Sequence, residues 1–258
     1  MTNDPTRRFT ERVESYVQSR PGYPPDLVPL LAREADLHPS HAVADVGSGT
    51  GLLSEPFLRN GNEVFGIEPN PKMRAAAEKA FAGKPLFRSV EGSAESTTLP
   101  AESVDLVAAG QAFHWFDRKR AREEFARILR PPFRVVLVWN DRRTEGSRFS
   151  EGYEALLREH GTDYGLVDHK NLGSDVFDAF FEPNGWKLFS LPNTQRFDEN
   201  GLRSRLLSSS YTPPPGDPRH EPMLGDLARL FARTNDDGFV LMEYETKIYL
   251  GKIFVRAS

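Results

Sequence analysis

The sequence contains no cysteine. That absence excludes a disulfide framework, thiolate metal sites, iron–sulfur clusters and a catalytic thiol. Long apolar runs are missing too. The longest, Val135 to Trp139, falls far short of the roughly 20 residues that span a bilayer, so no membrane partner is expected. The opening Met1-Thr2-Asn3-Asp4-Pro5 carries no apolar segment and does not read as a secretory signal. Neither sign of charge dominates: 33 basic residues face 37 acidic ones, a net charge of −4, so no global field favours nucleic acid. With 38% hydrophobic and 27% charged residues, the 258-residue chain reads as a soluble globular protein with more length than one compact domain needs. The expectation is a cytoplasmic protein with a small-molecule partner. The sequence leaves its oligomeric state open.

What is present is a change of rhythm at His41. Before it, Phe9, Val13, Tyr16 and Val17 follow helical spacing, Pro21-Gly22-Tyr23-Pro24-Pro25 interrupts, and Leu27 to Ala35 suggests a second helix. After it, short apolar runs alternate with helix signatures. Ala42–Val46, Val64–Glu68, Leu86–Val90, Val104–Ala109 and Val135–Trp139 read as strands. Between them, Leu52–Arg59 is helical. Asn70 offers a cap with Pro71 at the first helical position, and Asp117 offers a cap to a helix that Pro131-Pro132 stops. This alternation implies a doubly wound parallel sheet. Beyond Asn140 the pattern breaks into helices near Tyr153–Glu159, Val176–Phe181, Gly201–Leu207 and Leu224–Thr234, with strands at Lys187–Phe197 and Phe239–Val255.

The chemistry concentrates in Asp45-Val46-Gly47-Ser48-Gly49-Thr50-Gly51, directly after the first strand. Glycines there let the backbone approach a ligand and turn into a helix. A tight structural turn would use the same residues, but Glu68 ends the second strand. At the switch point of such a sheet that carboxylate suits two ribose hydroxyls. A dinucleotide fingerprint starting at Gly47 needs glycine at position 52, which is Leu52. A nucleoside ligand without pyrophosphate fits better than a dehydrogenase cofactor. His38 and His41 straddle Pro39 without a carboxylate-rich motif, so no metal site is expected. The basic run Arg118-Lys119-Arg120-Ala121-Arg122, followed by Glu123 and Glu124, reads as a solvated face rather than an RNA footprint.

The loop and Glu68 together resemble the class I S-adenosylmethionine-dependent methyltransferases, and within them the group known as methyltransferase type 11. Glu91-Gly92-Ser93-Ala94-Glu95, Val104-Asp105-Leu106-Val107, Gln111 to Phe116 and Ile128-Leu129-Arg130-Pro131 are similar to later segments of the same family. Where the family has Pro-Gly-Gly this chain has Pro131-Pro132-Phe133, a departure expected to alter a turn rather than the cofactor site.

The resemblance implies a Rossmann-like, doubly wound α/β sheet of seven strands, the last antiparallel, with an N-terminal helical lid and inserted helices in the C-terminal half. It implies one domain over residues 1–258, with a lid at 1–40, a cofactor core at 41–140 and substrate-side helices and closing strands at 141–258. S-adenosylmethionine would be the cofactor. By resemblance, Gly47, Ser48, Gly49 and Thr50 would meet its amino-acid part and ribose, and Asp45 would orient the loop or meet its ammonium through water. Glu68 would hold the ribose. Pro69, Met73 and Ala94 would pack around adenine, with Ser93 or Glu95 at the exocyclic amine. Gln111 would lie beside the methionine moiety, and Arg20 would pair with its carboxylate or stand as a solvated helix end. Tyr16, His114, Trp115 and Tyr211 are the candidate substrate residues. His114 is read as a base or as a structural hydrogen-bonder among core aromatics. The expected reaction is in-line methyl transfer to a small molecule. An RNA or protein methyltransferase and a non-catalytic cofactor-binding protein stand as alternatives.

Overall fold

A computed structural model describes residues 20–162, 164, 172–209 and 211–253. The helix suggested by Phe9, Val13, Tyr16 and Val17 lies outside them, as does Ser210. The apolar runs after His41 form β1 (Ala42–Val46), β2 (Glu63–Ile67), β3 (Phe87–Val90), β4 (Val104–Gly110) and β5 (Leu129–Arg142). With β6 (Trp186–Phe197) and β7 (Val240–Lys252) they make one seven-stranded sheet in the order β3-β2-β1-β4-β5-β7-β6. Strands β1 to β5 pair in parallel, and β7 runs antiparallel to both β5 and β6. Order reverses between β1 and β4, which puts the switch point at the carboxyl ends of these two strands.

Strand residues alternate between two buried faces, as a pleated backbone requires. Ala44, Val46, Val107, Ala109, Val135 and Leu137 pack against Phe113, Phe125 and Phe181 on one face. Val43, Leu106, Ala108, Val136 and Val138 pack against Leu27, Leu31 and Phe57 on the other. Helix α1 (Leu27–Ala35) and α2 (Ser54–Asn60) cover the second face. Next in the chain come α3 (Pro71–Ala80), whose Asn70 side chain accepts from the backbone N–H of Lys72 and Met73, and α4 (Arg118–Ile128), where Asp117 accepts from Arg120 N–H. Both caps leave fewer unpaired amide donors in the first turn.

Two boundaries differ from the sequence reading. Helix α2 starts at Ser54 rather than Leu52, because the glycine loop continues as a turn. Strand β5 begins at Leu129 rather than Val135: α4 ends at Ile128, and the strand runs through Pro131-Pro132. The register with β4 shifts between Val104↔Leu129 and Leu106↔Arg134, so the prolines occupy an irregular stretch where the β4 ladder does not need their missing N–H.

The insertion after β5 consists of α5 (Arg148–His160), α6 (Ser174–Phe181), α7 (Glu199–Leu207) and α8 (His220–Thr234). Helices α5, α7 and α8 share a third apolar cluster with Val240, Met242 and Tyr244, at the start of β7. Arg122 of the basic run is tied to α6: its guanidinium donates to the carbonyls of Phe180 (2.9 Å) and Glu182 (2.7 Å). Among the described residues no helix is long and apolar enough to cross a membrane.

Candidate functional site

The site grows from the two turns at the switch point. Gly47 and Ser48 both donate backbone N–H to the Ile67 carbonyl (2.9 and 3.1 Å), which draws the loop after β1 against the end of β2. Gly47 has φ of 69°, and a Cβ there would lie 2.7 Å from Ala112 Cβ, so only glycine fits against the turn after β4. Gly49 has φ of 56°, yet a Cβ there would meet nothing within 4 Å. The loop is closed against protein on one side and open at Gly49, the shape of a backbone cradle.

Glu68 sits just past β2 and is shared by both turns. Its Oε2 accepts from Gly49 N–H (3.0 Å) and its Oε1 from Asn70 N–H (2.8 Å). Each oxygen keeps a second lone pair. Burial pushes the Glu68 carboxyl above its ordinary value, against the two amide hydrogen bonds and the charge of Arg74. Arg74 fixes this corner: it donates to the carbonyls of Glu68 (2.8 Å) and Pro69 (3.0 Å) and pairs with Glu91 (3.0 Å).

Asp45, at the end of β1, is 0% exposed. Its Oδ2 accepts the Ser54 hydroxyl (2.7 Å), while Oδ1 has no partner, and neither has the buried Thr50 hydroxyl. Burial raises the Asp45 carboxyl to about 7; the Ser54 hydrogen bonds oppose the rise and the nearby Glu68 charge adds to it. An unpartnered buried carboxylate oxygen beside an open glycine cradle fits a cationic group.

The remaining positions divide. Met73 and Ala94 are buried, Pro69 is exposed, and Ser93 closes a small bridge with Ser96. Glu95 commits Oε1 to the backbone N–H of Asp117 (2.9 Å) at the start of α4. Gln111, with φ of 56°, donates its backbone N–H to Val138 and its side-chain amide to the Asn140 carbonyl (3.3 Å). It therefore faces β5 rather than the glycine loop. His114 is half-buried against the Trp115 ring (centroids 4.8 Å apart), and Trp115 is 45% exposed. Their neighbour Phe113 belongs to the core, packed on Phe180, Phe177 and Trp139. Tyr16 lies outside the described residues.

Sequence reasoning missed the link between the proline-rich segment and the sheet. Asn140 Nδ2 donates to the Gly22 carbonyl (3.1 Å), and so does Asn193 Nδ2 (2.8 Å). Asn140 Oδ1 accepts from Thr246 (2.6 Å) and Asn193 (3.1 Å). The Tyr23 hydroxyl lies so close to Gly110 that a Cβ there would come within 2.3 Å of it. Residues 21–23 thus lie across the carboxyl ends of β4 and β5. The Arg20 charge acts on the Tyr211 phenol, so two residues distant in sequence lie within electrostatic range of each other. A cavity of about 660 Å³ lies on the opposite face of β5, lined by Trp139, Phe177, Tyr249, Asp141 and Lys247 among others. A further group, Glu159, His160 and Asp226, brings possible metal-ligating atoms together; within it His160 is hydrogen-bonded to Asp226 (2.8 Å), joining α5 to α8.

This fold and site define a class: a seven-stranded α/β sheet with a glycine loop and an acidic residue at its switch point. Residues 44–136 match the family described as methyltransferase domain. An uncharacterized methyltransferase of Mycobacterium tuberculosis is 37% identical over 139 residues, 54% of either chain. An uncharacterized methyltransferase of Schizosaccharomyces pombe is 33% identical over 137 residues, 53% of either chain. The alignments thus span about half the length of these curated relatives. The solved structure of a candidate type II methyltransferase from Anaeromyxobacter dehalogenans covers 92% of this chain and 99% of its own, with a TM-score of 0.63 at 20% identity, a likeness of fold.

Proposed function

We propose that this protein transfers a methyl group from S-adenosylmethionine to a small-molecule acceptor. The observation that carries this reading is Glu68, whose two oxygens are held by Gly49 and Asn70 amides while lone pairs remain for the two hydroxyls of a ribose. When bound, the cofactor supplies a methyl group on a sulfonium, already a good electrophile. The protein's work is then alignment and exclusion of water.

In this reading the loop Gly47, Ser48, Gly49 and Thr50 receives the amino-acid part and ribose, and Asp45 faces the cationic end. Pro69, Met73, Ser93 and Ala94 flank the adenine, with Glu95 at its edge through the oxygen not bound to Asp117. Arg20 serves the methionine carboxylate, and Gln111 fixes the β4 turn beside it. Residues 1–40 act as a lid, 41–140 as the cofactor core and 141–258 as the acceptor side, with Tyr16, His114, Trp115 and Tyr211 on the acceptor. A cytoplasmic setting belongs to the same reading. The balanced net charge of −4 favours a small acceptor over nucleic acid.

Incubating the protein with methyl-labelled S-adenosylmethionine and a metabolite extract tests the reaction. A labelled small molecule is expected, and label found only in RNA or protein fractions would overturn the choice of acceptor.

A further inference from the structure

The helices inserted after β5 hold a buried guanidinium that no carboxylate among the described residues neutralises. Arg205, on α7, is 5% exposed. Its Nη1 donates to Ser209 Oγ (2.9 Å), a second bond goes to the Tyr244 hydroxyl, and Nε has no partner. Among the described residues no acidic side chain reaches it. The Tyr153 hydroxyl lies in the same cluster, is 1% exposed, and also has no partner. A cation taken out of water without a counter-charge is strongly unfavourable, as is a buried hydroxyl that bonds to nothing.

Two more guanidinium groups converge on the same place. Arg142, at the end of β5, stands opposite Tyr244 in the sheet register and lies over the Tyr153 ring at 5.1 Å. Arg20 approaches from the proline-rich segment. The Tyr211 phenol senses all three. Burial pushes it up, but the Arg205 charge, a Ser209 hydrogen bond, and the Arg20 and Arg142 charges bring it below the ordinary tyrosine value. Glu154, the acidic side chain in contact with Arg142, is already engaged by Arg142 (2.5 Å), Arg158 (2.9 Å) and the Tyr164 hydroxyl (2.6 Å). Among the described residues the cluster therefore keeps a positive surplus, and it lies two residues along β5 from Asn140, which holds the Gly22 carbonyl at the sheet's carboxyl end.

We propose that Arg205, Arg142, Tyr153 and Tyr211 form the site for a carboxylate or phosphate group of the methyl acceptor, so that the acceptor is a small organic acid or phosphate ester. Guanidinium and phenol donors suit such a group: the first gives charge-assisted, fork-shaped contacts and the second a neutral donor. The assignment rests on the methyltransferase reading and adds the acceptor's chemical class.

Calorimetry on the full chain separates the two. Wild-type protein is first saturated with S-adenosylhomocysteine, then titrated with succinate, inorganic phosphate and neutral succinamide. Saturable binding of at least one anion and none of succinamide is expected, and the two anion arms tell carboxylate from phosphate. Arg205→Met should weaken the anion by about tenfold or more while changing S-adenosylhomocysteine affinity less than about twofold, and should melt no lower than wild type. Tyr153→Phe, which removes one buried hydroxyl and no charge, should weaken the anion severalfold and serves if the first variant fails to fold. Absence of anion binding to the loaded wild type overturns the proposal, as does undiminished binding by the variants. Loss of S-adenosylhomocysteine affinity in Arg205→Met would assign the cluster to the cofactor's carboxylate and overturn it equally. Failure of wild type in the first titration counts against the methyltransferase reading itself, and the acceptor assignment falls with it.

Discussion

Replacing Asp45 by Asn gives the sharpest electrostatic prediction. In the folded protein this carboxyl is raised from 3.8 to about 7, chiefly by burial at the end of β1. Below about pH 3 it is protonated in both folded and unfolded chains and contributes almost no pH dependence. Between 3.8 and about 7 the unfolded chain has released the proton while the folded chain keeps it, so stability falls as pH rises. Above that window the loss is constant, and at about 1.4 kcal/mol per unit it reaches about 4 kcal/mol. An asparagine stays neutral, and its carbonyl oxygen can still accept the Ser54 hydroxyl that Asp45 accepts at 2.7 Å. It also removes the charge that Glu68 feels. The stability difference between Asp45→Asn and wild type is therefore expected to grow from near zero at about pH 3 to about 4 kcal/mol in favour of the variant at about pH 8. Urea unfolding at a series of pH values measures it. Carboxylates held low by arginine partners, such as Glu124 and Glu154, give the opposite slope but cancel in the difference. Parallel pH profiles, or a variant less stable than wild type at pH 8, would refute the reasoning.

Two glycines of one loop should respond differently to alanine. Gly47→Ala places Cβ 2.7 Å from Ala112 Cβ in a left-handed backbone and is expected to cost about 3 kcal/mol in thermal or urea unfolding. Gly49→Ala meets open space and should cost only about 1 kcal/mol, while weakening S-adenosylhomocysteine at least tenfold because the methyl group stands in the cradle. His114→Ala tests whether that ring serves the acceptor. Turnover should fall by about 10²-fold if it moves a proton, with cofactor affinity unchanged, and unaltered turnover would return His114 to a structural role.

Legibility in the sequence followed the range of the interactions. Strands β1 and β4 and helices α3 and α4 were readable because apolar spacing and side-chain caps are local: Asn70 and Asp117 each bond within their own first turn. The glycine loop and Glu68 were readable for the same reason, since both directly follow strands. Glu95 was assigned to a ligand edge, yet one of its oxygens accepts the Asp117 N–H, a contact between loops 22 positions apart. Asn140 fell just beyond the strand read at Val135–Trp139, and Asn193 was one polar position in the strand read at Lys187–Phe197. Their grip on the Gly22 carbonyl links positions more than a hundred residues apart, and no local pattern encodes it. Arg205 sits on a short helix whose spacing gives no hint that its guanidinium is buried. Only the packing of α5, α7 and β7 around it exposes that.

The most direct test of the central claim is calorimetric titration of the full chain with S-adenosylmethionine, S-adenosylhomocysteine and NAD, repeated with Glu68→Gln. The account predicts saturable binding of both sulfur nucleosides, no binding of NAD, and at least tenfold weaker nucleoside binding by the variant, which loses a charged acceptor for the ribose. Binding of NAD with neither sulfur nucleoside would contradict it.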